Sequence, residues 1–475
     1  MKSFSIIVWV FAFLTASALS YLIPPMQSPD EMSHVERAYL LSKGHIFLQK
    51  LPPELMSGPR ETIENTAFME RARRHGGPIG GPVDQGLLKF IAANSVLIQD
   101  YGRRLSISER VQIANLKWAG VEEFHLMPGA GYYFPLIYAP QALGLAGGQL
   151  FKLGVEHSYY LARGLALLAC FGMLWLAWRL LTPNPLVVAI LLLPMSMFQM
   201  LSPTIDGLTT ALAVLTCSLF MASVDHDRTH TTAFSWGLAF CVFLLVTIRT
   251  HMLPMLALPF CLAWMRRSRR DLYLGCVLML AALGWVLFAM HSTNDPRIAR
   301  NHTTSELLFY YVTNPSAYFE VVSASLSSLD LFTFYQESFI GILGWLDTKL
   351  PLYFYPILWI GLALCALIGV SWQSLQRDWL PRLLLILIAL ASVCLIFLAL
   401  LVTWTPHPAP VVQGVQGRYF VVPMILLGYS LSGFAPVQGA VRRWLTRFVL
   451  AGFALVALTA LTMTLVSRYG SASVS

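Results

Sequence analysis

Charge is what this chain has least of. Asp, Glu, Lys and Arg make up only 12% of its 475 residues, against 56% hydrophobic residues. That balance, with a mean hydropathy of +0.63, excludes an ordinary soluble domain, where about a quarter of the residues are charged. Several motifs are missing too: no P-loop, no G-x-S-x-G, no H-E-x-x-H and no paired C-x-x-C. Nothing therefore argues for a nucleotide-driven pump, a serine hydrolase or a zinc enzyme. No repeat, heptad run or low-complexity tract is present. The seven cysteines all fall in apolar runs, where they behave as small apolar residues and imply neither disulfides nor a metal site. A formal net charge of +8 does not imply a nucleic-acid partner, because the arginine clusters lie beside apolar runs, as topology determinants do.

Apolar sequence in bilayer-length pieces is abundant. Runs near 4–23, 158–178, 185–201, 207–224, 232–248, 252–265, 272–290, 352–371, 383–404, 419–435 and 448–467 give about eleven spans of an all-α, multi-pass membrane protein. Lys2 and the triplet Ala16-Ser17-Ala18 flank the first run as in a signal peptide. A retained signal-anchor fits better, since later spans need a fixed starting orientation. If Arg266–Arg270, Arg377–Arg382 and Arg442–Arg447 are cytoplasmic, the loops 291–350 and 405–417 lie outside, with Asp206 and the Arg249–His251 junction. A further run at 133–153, interrupted by Pro135, Pro140, Gly144, Gly147 and Gly148, reads as a re-entrant or juxtamembrane helix with both ends outside. Residues 25–157 then form one external region. It holds a charged helix over 60–75 ending in Arg71–Arg74, a glycine-rich turn over 76–82, and amphipathic stretches near 84–99 and 106–118. Arg71–Arg74 reads as a surface facing lipid headgroups.

The densest set of ionisable groups follows the first span, at Ser28-Pro29-Asp30-Glu31-Met32-Ser33-His34-Val35-Glu36-Arg37. Ser28, Pro29 and Glu31 read as N-cap, N1 and N3 of a helix that Lys43-Gly44 closes. On it Asp30, His34 and Arg37 share one face, at i, i+4 and i+7. Glu31 as a cap and Asp30 as a dipole partner is the plain alternative. Four more polar groups fall on the same outer side: Asp206, Arg249 with His251, the segment 341–351 with Asp347, and Gln416-Gly417-Arg418-Tyr419. Each alone reads as a snorkelling anchor. Together, carboxylates with cations suit a site for an anionic lipid headgroup, whose phosphate arginine grips with two donors.

Pro29-Asp30-Glu31 with His34, Arg37-Ala38 and Gly44; Tyr133-Phe134-Pro135-Leu136-Ile137-Tyr138; Ala162-Arg163; Pro194-Met195 with Asp206; Gly341 to Asp347; and Gly414 to Phe420 occur in this order along the chain. With them the chain resembles the bacterial membrane-protein family catalogued as domain of unknown function 2142, whose members are similar to the GT-C superfamily of lipid-linked sugar transferases. The resemblance implies a single GT-C-like helical bundle over 1–475 in a bacterial cytoplasmic membrane, its site facing outward. It implies transfer of a sugar, with inversion, from a polyprenyl-phosphate donor to a cell-envelope glycan or lipid acceptor. Asp30 would be the base, with Glu31 and His34 orienting the acceptor or binding a divalent ion such as Mg or Mn. Arg249, Arg418 and Arg163 would hold the donor phosphate. Arg37, Asp206, His251, Asp347, Gln416 and Tyr419 would complete the substrate site. The soluble C-terminal domain of some GT-C enzymes is missing, so acceptor choice would rest on the external loops. Two other classes stay open: a flippase or transporter of polyprenyl-linked sugars, and a non-catalytic envelope-assembly protein. The one-sided charges and the lack of inverted repeats favour the enzyme.

This topology predicts that cysteines introduced at positions 130 and 156 both react with a membrane-impermeant thiol reagent in intact cells. Protection of position 156 would overturn the parity count.

Overall fold

The computed structural model describes residues 2–52, 79–225, 231–293, 302–370, 379–431 and 439–470. The helix expected over 60–75, the Arg71–Arg74 cluster, the start of the glycine-rich turn and Arg377 lie outside these residues. The described chain is mostly helical. Its first half runs α1 (Lys2–Ser20), α2 (Glu31–Ser42), α3 (Gln85–Ser95), α4 (Ile107–Ala114), α5 (Ala139–Leu150), α6 (Val155–Leu180), α7 (Pro185–Leu191), α8 (Pro194–Met200), α9 (Ile205–Val224) and α10 (Thr232–Ile248). The second half runs α11 (Ala257–Arg266), α12 (Arg269–Ser292), α13 (Thr304–Thr313), α14 (Pro315–Ser327), α15 (Leu329–Gly341), α16 (Phe354–Gly369), α17 (Trp379–Thr403), α18 (Val421–Ser430) and α19 (Ala440–Tyr469).

Among the described residues five helices, α6, α9, α12, α17 and α19, are long and apolar enough to cross a membrane. Shorter apolar helices occupy Ile6–Ser20, Thr232–Ile248 and Phe354–Gly369. The other expected spans are broken. The 185–201 run splits between α7 and α8 because Pro194 has no N–H to continue α7, and Leu193 before it is extended (φ −57°, ψ 141°). The 252–265 run opens as a 3-10 turn over Thr250–Leu256 holding Pro254. The last starts as another 3-10 turn, Gly417–Phe420.

Helix α9 is the axis of the bundle. It is apolar all round and every residue in it is buried, as a helix enclosed by others must be. Its two ends differ chemically. Asp206 opens it, while at the far end, about 30 Å away for 20 residues, the Ser223 carbonyl accepts from Arg266 Nε at 2.6 Å. Arg442 likewise donates to the Ile368 carbonyl near the end of α16 (2.7 Å), and Arg382 to the Ser430 carbonyl at the end of α18 (3.3 Å). The basic clusters thus cap helix C-termini, where cations offset the dipole and the orphaned carbonyls.

Around the opposite end lies the region after α1, and it is not all-α. Strands β1 (Gln49–Lys50), β2 (Ile79–Asp84) and β3 (Glu122–Leu126) form an antiparallel sheet in that order, with Gly80 opposite Leu126 and Asp84 opposite Glu122. Gly80 and Gly81, expected in a turn, lie within β2. A Cβ on Gly80 would strike the His125 backbone and one on Gly81 the Leu40 side chain, so glycine here permits close approach within a strand. A second hairpin, β4 (Ile342–Leu343) with β5 (Thr348–Lys349), follows α15.

Residues 135–150 form a 3-10 turn, Pro135–Tyr138, and the 12-residue α5. At about 1.5 Å per residue α5 covers only about 18 Å, short of a 30 Å hydrocarbon core. Its glycines serve packing. A Cβ on Gly144 would collide with the Ala162 backbone, and one on Gly148 with Ser158. This is the small-x-x-x-small surface that lets two helices approach closely, here α5 on α6. Gly144→Val should therefore separate α5 from α6 and lower the detergent-extracted protein's melting temperature by several degrees. An equal shift for Gly164→Val, where a Cβ meets open space, would assign the loss to propensity rather than to packing.

Candidate functional site

Asp30 is the N-cap of α2, in the left-handed region (φ 62°, ψ 5°). Asp tolerates that region better than most residues because its short polar side chain bonds locally. Helix α2 starts there rather than at Ser28, and only half of the expected capping box forms. The Glu31 carboxylate accepts from the Ser28 N–H (2.9 Å), while the Ser28 hydroxyl, buried, has no partner among the described residues. The turn leaves the Asp30 side chain 46% exposed at the mouth of a cavity.

Behind it stands a ladder of alternating charge. Arg418 Nη2 donates to Asp30 Oδ2 at 3.0 Å and Arg418 Nη1 to Asp206 Oδ2 at 3.2 Å. Arg249 pairs with the other Asp206 oxygen. Arg418 itself is 3% exposed and is placed by its neighbour. A Cβ on Gly417 would fall on the Phe339 backbone nitrogen, and the Gly417 N–H donates to Ser338 Oγ at 2.8 Å. Four segments far apart in sequence, the entry to α2, the start of α9, the end of α10 and the 417–420 turn, therefore meet at two carboxylates and two guanidiniums with no net charge. The Arg249 guanidinium also lies over the Tyr133 ring, 5.5 Å from its centroid, and Arg418 over Tyr419 at 5.3 Å.

The cavity, about 220 Å³, is lined by Asp30, His34, Tyr133, Trp404, Gln416 and Tyr419 among others. His34 follows Asp30 by one turn, and its Nδ1 lies 3.0 Å from the Tyr138 hydroxyl. Burial holds its imidazole down to about 3, Asp30 opposing and Arg249 and Arg418 adding to the shift. His34 is thus neutral at physiological pH. Gln416 Oε1 is buried with no hydrogen-bond partner among the described residues. Such an acceptor is costly unless something donates to it. His251 stands behind Tyr419, with ring centroids 6.5 Å apart.

Four residues expected in the site are used elsewhere. Glu31 is fully buried. Its oxygens accept from the Met26 N–H (3.1 Å), the Ser28 N–H and the Tyr159 hydroxyl, so it fixes the turn before α2 and does not face the cavity. Arg163 donates to the Ser20 and Ile23 carbonyls, both at 2.8 Å, and to Tyr159. It closes the end of α1 and is not placed to meet a phosphate. Arg37 shares the helix face of His34 but reaches the carbonyls of His45 (3.0 Å) and Ile46, pinning the chain after α2. Asp347 accepts from the Gln99 N–H at 3.0 Å and lies 3.7 Å from buried Arg468, tying the 344–347 turn to the end of α19. Trp404 was missed, because a tryptophan ending an apolar run reads as an interface anchor. Its ring covers Gly414, whose φ of 78° and lack of a Cβ allow the turn.

A resident divalent ion does not fit. Among the described residues no three His, Cys, Asp or Glu side chains form a metal-binding group, and the carboxylates nearest the cavity are matched by guanidiniums.

A family model described as Predicted membrane protein (DUF2142) matches residues 13–427. No curated protein and no solved structure matches the chain.

The ladder predicts unequal costs for its two carboxylates. Asp206→Asn leaves two guanidiniums without their shared partner and should destabilise by about 3 to 5 kcal/mol, as breaking a buried pair does. Asp30→Asn, half exposed, should cost about 1 kcal/mol or less. Unfolding in mixed micelles compares the two, and equal costs would contradict the ladder.

Proposed function

The chain belongs to the family of predicted membrane proteins described as DUF2142, and from that premise we propose that it is a GT-C-type glycosyltransferase. It moves a sugar from a polyprenyl-phosphate donor to an envelope glycan or lipid acceptor. Asp30 on Arg418 carries the proposal: a half-exposed carboxylate at a cavity mouth, held by a buried cation able to take a phosphate. A donor phosphate arriving at Arg418 competes with Asp30 for the guanidinium. Once displaced, Asp30 loses the charge that keeps it a weak base and gains an anionic neighbour, and both changes raise its proton affinity. The acceptor oxygen then attacks the anomeric carbon from the face opposite the phosphate, its proton passes to Asp30, and the bond from that carbon to the phosphate oxygen breaks. Polyprenyl phosphate leaves with the bonding pair, and the sugar is inverted. Arg418, with Arg249 through Asp206, balances the phosphate charge. Tyr133, Trp404 and Tyr419 offer aromatic faces, and the Gln416 oxygen accepts from a sugar hydroxyl.

The lipid part has a matching surface. Tyr133 lines the polar cavity, while the next residue, Phe134, lines an apolar groove of about 710 Å³ with Phe47, Leu136, Leu143 and Trp285. A polyprenyl chain in that groove places its phosphate toward Arg249. We propose eleven spans with the site on the outer face of a bacterial cytoplasmic membrane, because Asp206 and the arginine-capped Ser223 carbonyl occupy opposite ends of α9 and basic ends face the cytoplasm. A site at a helix end suits surface chemistry better than translocation, which keeps its polar groups near the midplane.

In a purified system with polyprenyl-phosphate sugars and envelope acceptors, Asp30→Asn should bind donor yet lose transfer by on the order of a hundred- to ten-thousand-fold. Arg418→Lys, keeping charge but losing the fork, should weaken donor use. Normal product from Asp30→Asn would exclude the base role, and donor movement across liposomes without glycosylation by the wild type would favour a transporter.

A further inference from the structure

A second polar cavity lies at the other end of α2, and nothing in the proposed transfer uses it. About 600 Å³ in volume, it is lined by Lys43, Lys117, Lys152 and His157, with Trp118 as a wall and Asp84 as its one carboxylate. Three lysine ammonium groups on one opening repel one another, and an anion among them relieves that repulsion. Asp84 supplies one countercharge, with its oxygens held by the backbone N–H groups of Gly86 (2.7 Å), Ala119 (2.9 Å) and Gly120 (2.8 Å). None of the four basic residues forms an ion pair among the described residues. Glu156 adjoins His157 at the start of α6, and Glu122 accepts from the Tyr39 hydroxyl at 2.8 Å. The Tyr39 ring stacks on Trp118 and faces the Lys43 ammonium at 5.4 Å.

The backbone adds to the same field. Gly154 is the N-cap of the 26-residue α6 and His157 lies in its first turn; with no side-chain cap, the positive dipole end faces the cavity, partly offset by Glu156 in the same turn. Lys152 closes α5 with φ 56°, a left-handed position that glycine occupies at lower cost. Beside it Leu150 and Phe151 are 77% and 72% exposed, an apolar shoulder next to a cationic opening.

We propose that this cavity binds a phosphate-bearing anion. The ligand chemistry is a phosphate monoester or diester, from an anionic phospholipid headgroup whose chains lie on Leu150 and Phe151, or from a soluble phosphate. The site is independent of sugar transfer and stands whether or not that reading holds.

The test is lysine acetylation of the full-length protein in nanodiscs with a neutral acylating reagent, read peptide by peptide. Lys89, exposed on α3 outside the cavity, is the internal reference. Three conditions are compared: phosphatidylcholine alone, phosphatidylcholine with phosphatidylglycerol, and phosphatidylcholine with inorganic phosphate. At ten times the dissociation constant, acetylation of Lys43, Lys117 and Lys152 should slow about tenfold relative to Lys89. Slowing with phosphatidylglycerol alone identifies a lipid headgroup, and slowing with inorganic phosphate identifies a soluble anion. Lys152→Glu should abolish protection at Lys43 and Lys117, while Lys152→Arg keeps it. Equal rates at all four lysines in every condition would overturn the proposal.

Discussion

A guanidinium removed from water inside a helical bundle must be matched in charge and in hydrogen bonds, because desolvation costs several kcal/mol per ion. Arg418 sets that demand here. Its fork reaches Asp30 on one side and Asp206 on the other, and Asp206 in turn holds Arg249. The constraint ties the entry of α2, the first turn of α9 and the turn before α18 to one point. Everything that shapes the cavity, from Tyr133 to Trp404, is arranged around it.

The same economy governs other buried and half-buried arginines. Arg163, Arg266, Arg382, Arg442 and Arg468 each donate to main-chain carbonyls elsewhere in the chain. In a bundle whose apolar runs break at Pro194 and Pro254, many helix ends lie away from bulk water, and each end leaves carbonyls without partners. Arginine satisfies two at once and brings the charge that a C-terminus favours. Its concentration at these ends follows from that cause.

Much of this was legible in the sequence. Apolar length announced the helices, and the spacing of Asp30 and His34 placed both at the cavity. The grouping of Asp206, Arg249 and Arg418 on one side was readable from parity, since each sits at the end of an apolar run. Their mutual pairing was not, because i to j distances of 43 and 212 residues leave no local trace. Glu31, Arg37, Arg163 and Asp347 are placed away from the cavity, and a charge near the site looks the same in sequence whether it meets a ligand or a backbone group. The β-sheet was hidden by glycine. Gly80 and Gly81 signal a turn by propensity, yet they form a strand because tertiary contact leaves no room for side chains.

The bond from Arg163 to the end of α1 also sets an order of events during synthesis. Its acceptors, Ser20 and Ile23, precede it by 143 and 140 residues. At 5 to 20 residues per second, the ribosome needs roughly 7 to 28 s to supply the donor. The first helix therefore leaves the ribosome with its C-terminal end unfinished, and stays so until α6 emerges to close it. A ribosome stalled in that interval would leave an anchored chain with an open helix terminus, the kind of fragment that quality-control proteases can grip.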